Sequence, residues 1–96
     1  MANYKLVSRA KFDLDEIWAY IARDNVEAAI QVEDDLRRAF VILGDNPFIG
    51  HLRADLTKKS LRFWNIHSYL IIYNPDTKPI EILRILSSYR DIPNII

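Results

Sequence analysis

Lys58–Asp91 reads KKSLRFWNIHSYLIIYNPDTKPIEILRILSSYRD, and this stretch decides the fold. It holds three apolar, β-rich runs. In Leu61–Ile66, Arg62, Trp64 and Ile66 alternate with Leu61, Phe63 and Asn65, the period-two pattern of a strand. Tyr69–Tyr73 is apolar on both faces and is therefore expected at the centre of a sheet. Ile80–Leu86 sets Ile80, Ile82, Arg84 and Leu86 against Glu81, Leu83 and Ile85. The joints are short: His67-Ser68, then Asn74–Pro79, dense in turn formers. Two tight connections between three strands predict an antiparallel meander.

Working outward, Tyr4–Val7 is a short β-prone run, and Ser8 is the expected N-cap of a helix from about Arg9. Ala10, Leu14, Ile17, Trp18 and Ile21 form one apolar stripe, with Asp13, Asp15, Glu16 and Arg23 off it. Asn25 is positioned to cap a second helix whose stripe runs Ala29, Val32, Leu36, Phe40, Leu43. Gly44 is read as its left-handed stop, and Pro47 prevents resumption. So short a joint folds the two helices into a hairpin. Trp18 and Phe40 read as core anchors. The expectation is one α+β domain over residues 1–96, β-α-α-β-β-β. The hairpin covers one face of a mainly antiparallel four-stranded sheet, and the other face or its rim presents Arg62, Arg84, Tyr89 and Arg90.

Composition narrows the function. Half of the residues are hydrophobic and 27% are charged, the profile of a folded globular domain. No cysteine is present, which removes disulfides, thiolate chemistry and cysteine zinc sites. Residues 1–16 lack the apolar core of a signal peptide, and no apolar run reaches the roughly 18 residues of a membrane span. A cytoplasmic protein that does not engage membranes is expected. The net charge of zero divides unevenly, with six Lys/Arg against nine Asp/Glu in residues 1–50 and seven against four in residues 51–96. A basic surface suited to an anionic partner and a chance distribution both fit that division.

Arg84 is the most informative single residue, because a guanidinium in an apolar strand must be paired, solvated or functional. An ion pair with a helix acid and a functional role are both open. Lys58, Lys59, Arg62, Arg84 and Arg90 form a candidate phosphate-binding set. Arg53 lies in the Asp45–Thr57 loop, and Trp64 or Tyr89 is available to stack on a base. His51 and His67 stand sixteen residues apart in different runs, so neither metal nor cofactor is expected. Two glycines cannot build a phosphate-cradling loop, and the adjacent Asp34 and Asp35 point to different sides of a helix.

These residues carry a likeness. Ala10, Asp13-Leu14, Ile17 and Tyr20-Ile21 are followed by Ala28 or Ala29, then Leu36, Leu43, Pro47 and Gly50. Then come Arg53, Leu56, Arg62, Tyr69, Ile71, Tyr73, Ile80 and Ile82, and finally Arg84-Ile85 before Arg90-Asp91. In this order the chain resembles the ParE/RelE superfamily of type II toxins from bacterial toxin–antitoxin, or plasmid-stabilisation, systems. The resemblance covers about residues 5–91 and implies the β-α-α-β-β-β fold. It implies a toxin held in check by a cognate antitoxin. The two long helices and the RI-x-x-x-x-RD ending look more like the ParE branch, which implies inhibition of DNA gyrase without a hydrolytic site. The RelE branch implies a ribosome-dependent mRNA endoribonuclease, with Arg62, Arg84, Tyr89 and Arg90 as its catalytic residues. Lys58, Lys59, Arg53 and Trp64 would contact target or nucleic acid. A third alternative is an inactive module that only binds antitoxin, suggested by Ser87 where the ParE branch commonly has a histidine.

Overall fold

A computed structural model describes residues 3–87 and 92–95. The chain runs β1 (Tyr4–Leu6), α1 (Ser8–Ala22), α2 (Val26–Asp45), β2 (Arg62–Ile66), β3 (Tyr69–Asn74), β4 (Ile80–Ser87) and a last turn of helix, α3 (Ile92–Ile95). The strands form one sheet in the order β1-β4-β3-β2. β2, β3 and β4 are the expected antiparallel meander, and β1 joins parallel to β4 through Tyr4↔Ile80 to Leu6↔Ile82. The α+β architecture is as the sequence implies.

The hairpin packs on one face of the sheet, where Leu36, Phe40 and Leu43 of α2 meet Ile71, Tyr73, Ile80, Ile82 and Ile85. Removing side chains of this size from water contributes about 1.5–3 kcal/mol each. Trp18 is only half-buried and stands outside this cluster, so Phe40 alone is the anchor expected of the pair. Asn25 caps α2 as its sequence suggests, its side-chain oxygen accepting from the Ala28 N–H at 3.0 Å.

Ser8 does not cap α1. Val7 occupies the N-cap position, its N–H still donated to the Ile82 carbonyl of the sheet while its own carbonyl accepts from Lys11 N–H. Strand passes into helix at one residue, and Ser8 is already helical. Gly44 is not a left-handed stop either, for α2 continues through it to Asp45 and no glycine has positive φ. A Cβ on Gly44 would stand 2.8 Å from the Asn3 carbonyl oxygen, so this glycine admits the start of β1 against the helix.

The expected face assignment of β4 breaks at a bulge. Ile72 lies opposite Arg84 but Tyr73 lies opposite Ile82, which leaves Leu83 as the extra residue. Ile80 and Ile82 before the bulge and Ile85 after it all reach the helix side, whereas Leu86 joins the opposite face. That second face is not a bare display of basic residues. Phe63, Leu70, Ile72 and Leu86 form a small core there, closed by Ile92 of α3 and flanked by Leu56, Leu61 and Ile95.

Candidate functional site

Asp13 was expected off the apolar stripe of α1, yet it is 5% exposed. Its position three residues after Ala10 and beside Leu14 is on the inward side of a 3.6-residue helix. There it receives Arg84. Nε of Arg84 donates to Oδ2 at 2.7 Å and Nη2 donates to Oδ1 at 3.1 Å, a fork-to-fork pair. The backbone N–H of Ile85 adds a third bond to Oδ2 at 3.0 Å. β1 accompanies β4 only as far as Ile82, so Asp13 supplies the acceptor that a neighbouring strand would otherwise provide. Of the two roles open for Arg84, the structure displays the ion pair.

Beside this pair, where β4 continues without β1, lies a cleft of about 750 Å³. Tyr20 and Glu16 of α1 line it from one side, Tyr69 and Ile85 from the other. Burial, followed by the proximity of Tyr20, raises the pKa of the Tyr69 phenol. At the tip of the β2–β3 hairpin, His67 has a positive φ of 53° and its Nε2 meets Asp35 Oδ2 of α2 at 2.7 Å. That bond is the chief cause holding the Asp35 carboxyl below its ordinary range.

Arg62 is committed to a different place. It stands opposite Tyr73, whose side belongs to the helix-facing core, and its Nη1 donates to the carbonyls of Phe48 (3.2 Å) and Gly50 (2.8 Å). Its guanidinium also lies 5.2 Å above the Phe48 ring, a cation–π contact. Tyr73 completes the attachment. Its hydroxyl donates to Pro47 O at 2.8 Å and accepts from Gly50 N–H at 2.9 Å. His51 exchanges two backbone bonds with Phe63 and stacks on Trp64 at 6.1 Å between centroids. The Pro47 and Phe48 carbonyls and both backbone groups of Gly50 and His51 are thus bonded to Tyr73, Arg62 or Phe63.

Burial pushes the Tyr73 phenol above the ordinary tyrosine value, with the Gly50 N–H and the Arg62 charge opposing. The unfolded chain's phenol ionises first as pH passes about 10, so this contribution to stability is intact below that pH and is lost as pH rises toward the folded value. Tyr73→Phe is expected to cost about 1–3 kcal/mol at neutral pH, because Gly50 N–H and Pro47 O lose their partner. It should also flatten, without abolishing, the alkaline fall in stability, since Tyr69 acts in the same sense. Urea midpoints of both proteins between pH 7 and 11 measure the two effects.

The remaining sequence candidates divide. Arg53 forks onto Asp55 at 2.9 and 2.7 Å, so its charge is met locally. Lys58 and Lys59 are exposed. Trp64 is half-buried against the helix-side core. Tyr89 and Arg90 lie outside the described residues. The structure therefore joins Arg62 to one loop and Arg84 to α1, and does not bring the two guanidinia to a common free surface. What sequence reasoning missed was Asp13, which receives Arg84, and Tyr73, whose hydroxyl holds the same loop as Arg62. Among the described residues no group of three or more His, Cys, Asp or Glu side chains is placed to hold a metal ion. No helix among them is long and apolar enough to cross a membrane.

Comparison with known proteins follows this geometry along nearly its whole length. The family profile for the ParE toxin of the type II toxin-antitoxin system parDE matches residues 4–92. Toxin ParE1 of Caulobacter vibrioides is 31% identical over 87 residues, which are 90% of this chain and 88% of the relative. A solved structure from P. aeruginosa, described as its chromosomal ParDE TA system, shares the fold with a TM-score of 0.71 at 23% identity. The alignment covers 91% of this chain and 96% of that one.

Proposed function

The chain belongs to the ParE toxin family of type II toxin–antitoxin systems, and from that premise we propose that it acts in the cytoplasm by binding and inhibiting DNA gyrase until a cognate antitoxin neutralises it. The observation that carries this reading is the match over residues 4–92, which spans the helical hairpin and the meander together. The geometry supports binding over hydrolysis. Arg84 is held by Asp13 and Arg62 by two backbone carbonyls, so a nuclease would have to release both from partners inside the fold before using them. The antitoxin is proposed to reach the cleft beside α1. There β4 runs on past the end of β1 with its Ile85 N–H already taken by Asp13, so the contacts offered to the antitoxin are the side chains that line the cleft, Tyr20, Glu16 and Tyr69 among them.

Purified chain is expected to inhibit supercoiling by gyrase, to leave ribosome-bound mRNA intact, and to lose its effect when antitoxin is added. Cleaved mRNA with normal supercoiling would replace this reading by the endoribonuclease one, with Arg62, Arg84, Tyr89 and Arg90 as its candidate residues.

A further inference from the structure

The loop that Arg62 and Tyr73 hold down shows an unusual division of labour. Its backbone is anchored by a fully buried tyrosine and an arginine, yet its own apolar side chains are left in water. Phe48 is 62% exposed, Ile49 43% and Leu52 59%. A single exposed apolar side chain is ordinary, and the helices carry several, but here three stand together on one anchored loop. Three large apolar groups within five residues, on a backbone already fixed, describe a surface whose ordering cost in binding is met beforehand. Immediately beside Phe48 opens a cavity of about 500 Å³ walled by Pro47, Pro75, Pro79 and Ile80, of a size to take a partner's apolar side chain.

Charge indicates the partner. The excursion from His51 to Phe63 is closed by backbone bonds and contains Arg53, Lys58, Lys59 and Arg62 against Asp55 alone. Arg53 is met by Asp55 and Arg62 by the loop carbonyls, which leaves Lys58 and Lys59 as the outward charge. We propose that Phe48, Ile49 and Leu52, with the exposed Lys58 and Lys59 farther along the chain, are the surface by which this chain docks on its target protein. The target presents an apolar side chain to the cavity and acidic groups to the lysines. This rests on the toxin reading above and adds the place of contact and the chemistry of the partner.

The test is growth arrest by the full chain expressed without antitoxin, at matched soluble abundance. Phe48→Asp, Leu52→Asp and the double change Lys58→Glu/Lys59→Glu are each expected to need about tenfold more protein for the same arrest, the size of one lost interface anchor. Phe48→Leu, which keeps an apolar group, should retain most of the effect. Antitoxin affinity should stay near wild type in all of them, and so should the melting temperature of the Leu52 and lysine variants, with a small drop for Phe48→Asp, which gives up the ring contact with Arg62. Unchanged arrest in all three variants overturns the proposal. So does a parallel loss of antitoxin binding, which would make this the antitoxin's surface. Wild-type self-association that Phe48→Asp abolishes overturns it too, making the occupant a second copy, as does a wild-type chain that arrests nothing. Arrest by wild type without inhibition of supercoiling defeats the gyrase reading alone, and the variants still judge the loop.

Discussion

Asp13→Ala is expected to destabilise the fold by about 3–5 kcal/mol, the cost of leaving a buried charge without its partner. At about 4–8 °C per kcal/mol for a domain of this size, the melting temperature should fall by at least about 12 °C. Three bonds go at once: two from the Arg84 guanidinium and one from Ile85 N–H, in surroundings where the pair's side chains are 14% and 5% exposed. The magnitude reflects an orphaned arginine and not the worth of the pair. Asp13→Leu combined with Arg84→Met should therefore recover most of the loss, since an apolar pair of similar volume needs no charge partner. Thermal melts of the single and double variants decide the matter. A double variant as unstable as Asp13→Ala would show that the bond to Ile85 N–H, and not the stranded guanidinium, carries the effect.

The same pair shows how far the sequence could be read. Arg84 announces its own need for a partner, because it interrupts an apolar strand. The partner is seventy-one residues away on a helix with several acids, Asp13, Asp15 and Glu16 among them. The helical angle does favour Asp13, which sits among Ala10, Leu14 and Ile17. Reading only apolar residues as inward concealed it. Order and type of elements were legible because they rest on local signals: two 3.6-residue stripes, an asparagine cap and a turn-rich hairpin. The misread details depend on contacts between distant segments. Gly44 looks like a helix stop until Asn3 is seen against it, and the bulge at Leu83 carries no glycine or proline to mark it. The covering of the outer face by Ile92 lies beyond the reach of strand alternation, which says which residues share a face and not what covers it. Tyr73 was legible as a central-strand residue, but its hydroxyl's part in fixing a loop twenty-three and more residues upstream was not.

Gly50→Ala should be the other severe change, and it connects stability with the docking loop. A Cβ at residue 50 would run into the Tyr73 hydroxyl and stand 2.8 Å from its ring edge. An exposed tyrosine tip swings aside at little cost, but Tyr73 is 0% exposed in the inner strand β3 and its hydroxyl both donates and accepts a bond. The loop must then lift or the ring must leave its rotamer. Overpacking of this kind costs about 1–3 kcal/mol, and a lost bond to Gly50 N–H adds about 1 kcal/mol, so a total of about 2–4 kcal/mol is expected in urea unfolding. Gly50→Ala with Tyr73→Phe should be less destabilised than the sum of the two single changes, because the second substitution removes the atom that the new methyl meets. Full additivity would place the strain in the backbone around residue 50 and not against Tyr73. The loop's displacement also has a functional reading that stability alone does not predict. At temperatures where Gly50→Ala remains folded, it should arrest growth less well than an equally destabilised Asp13→Ala, since only the former moves Phe48 and Ile49 from the positions in which Arg62 and Tyr73 hold them.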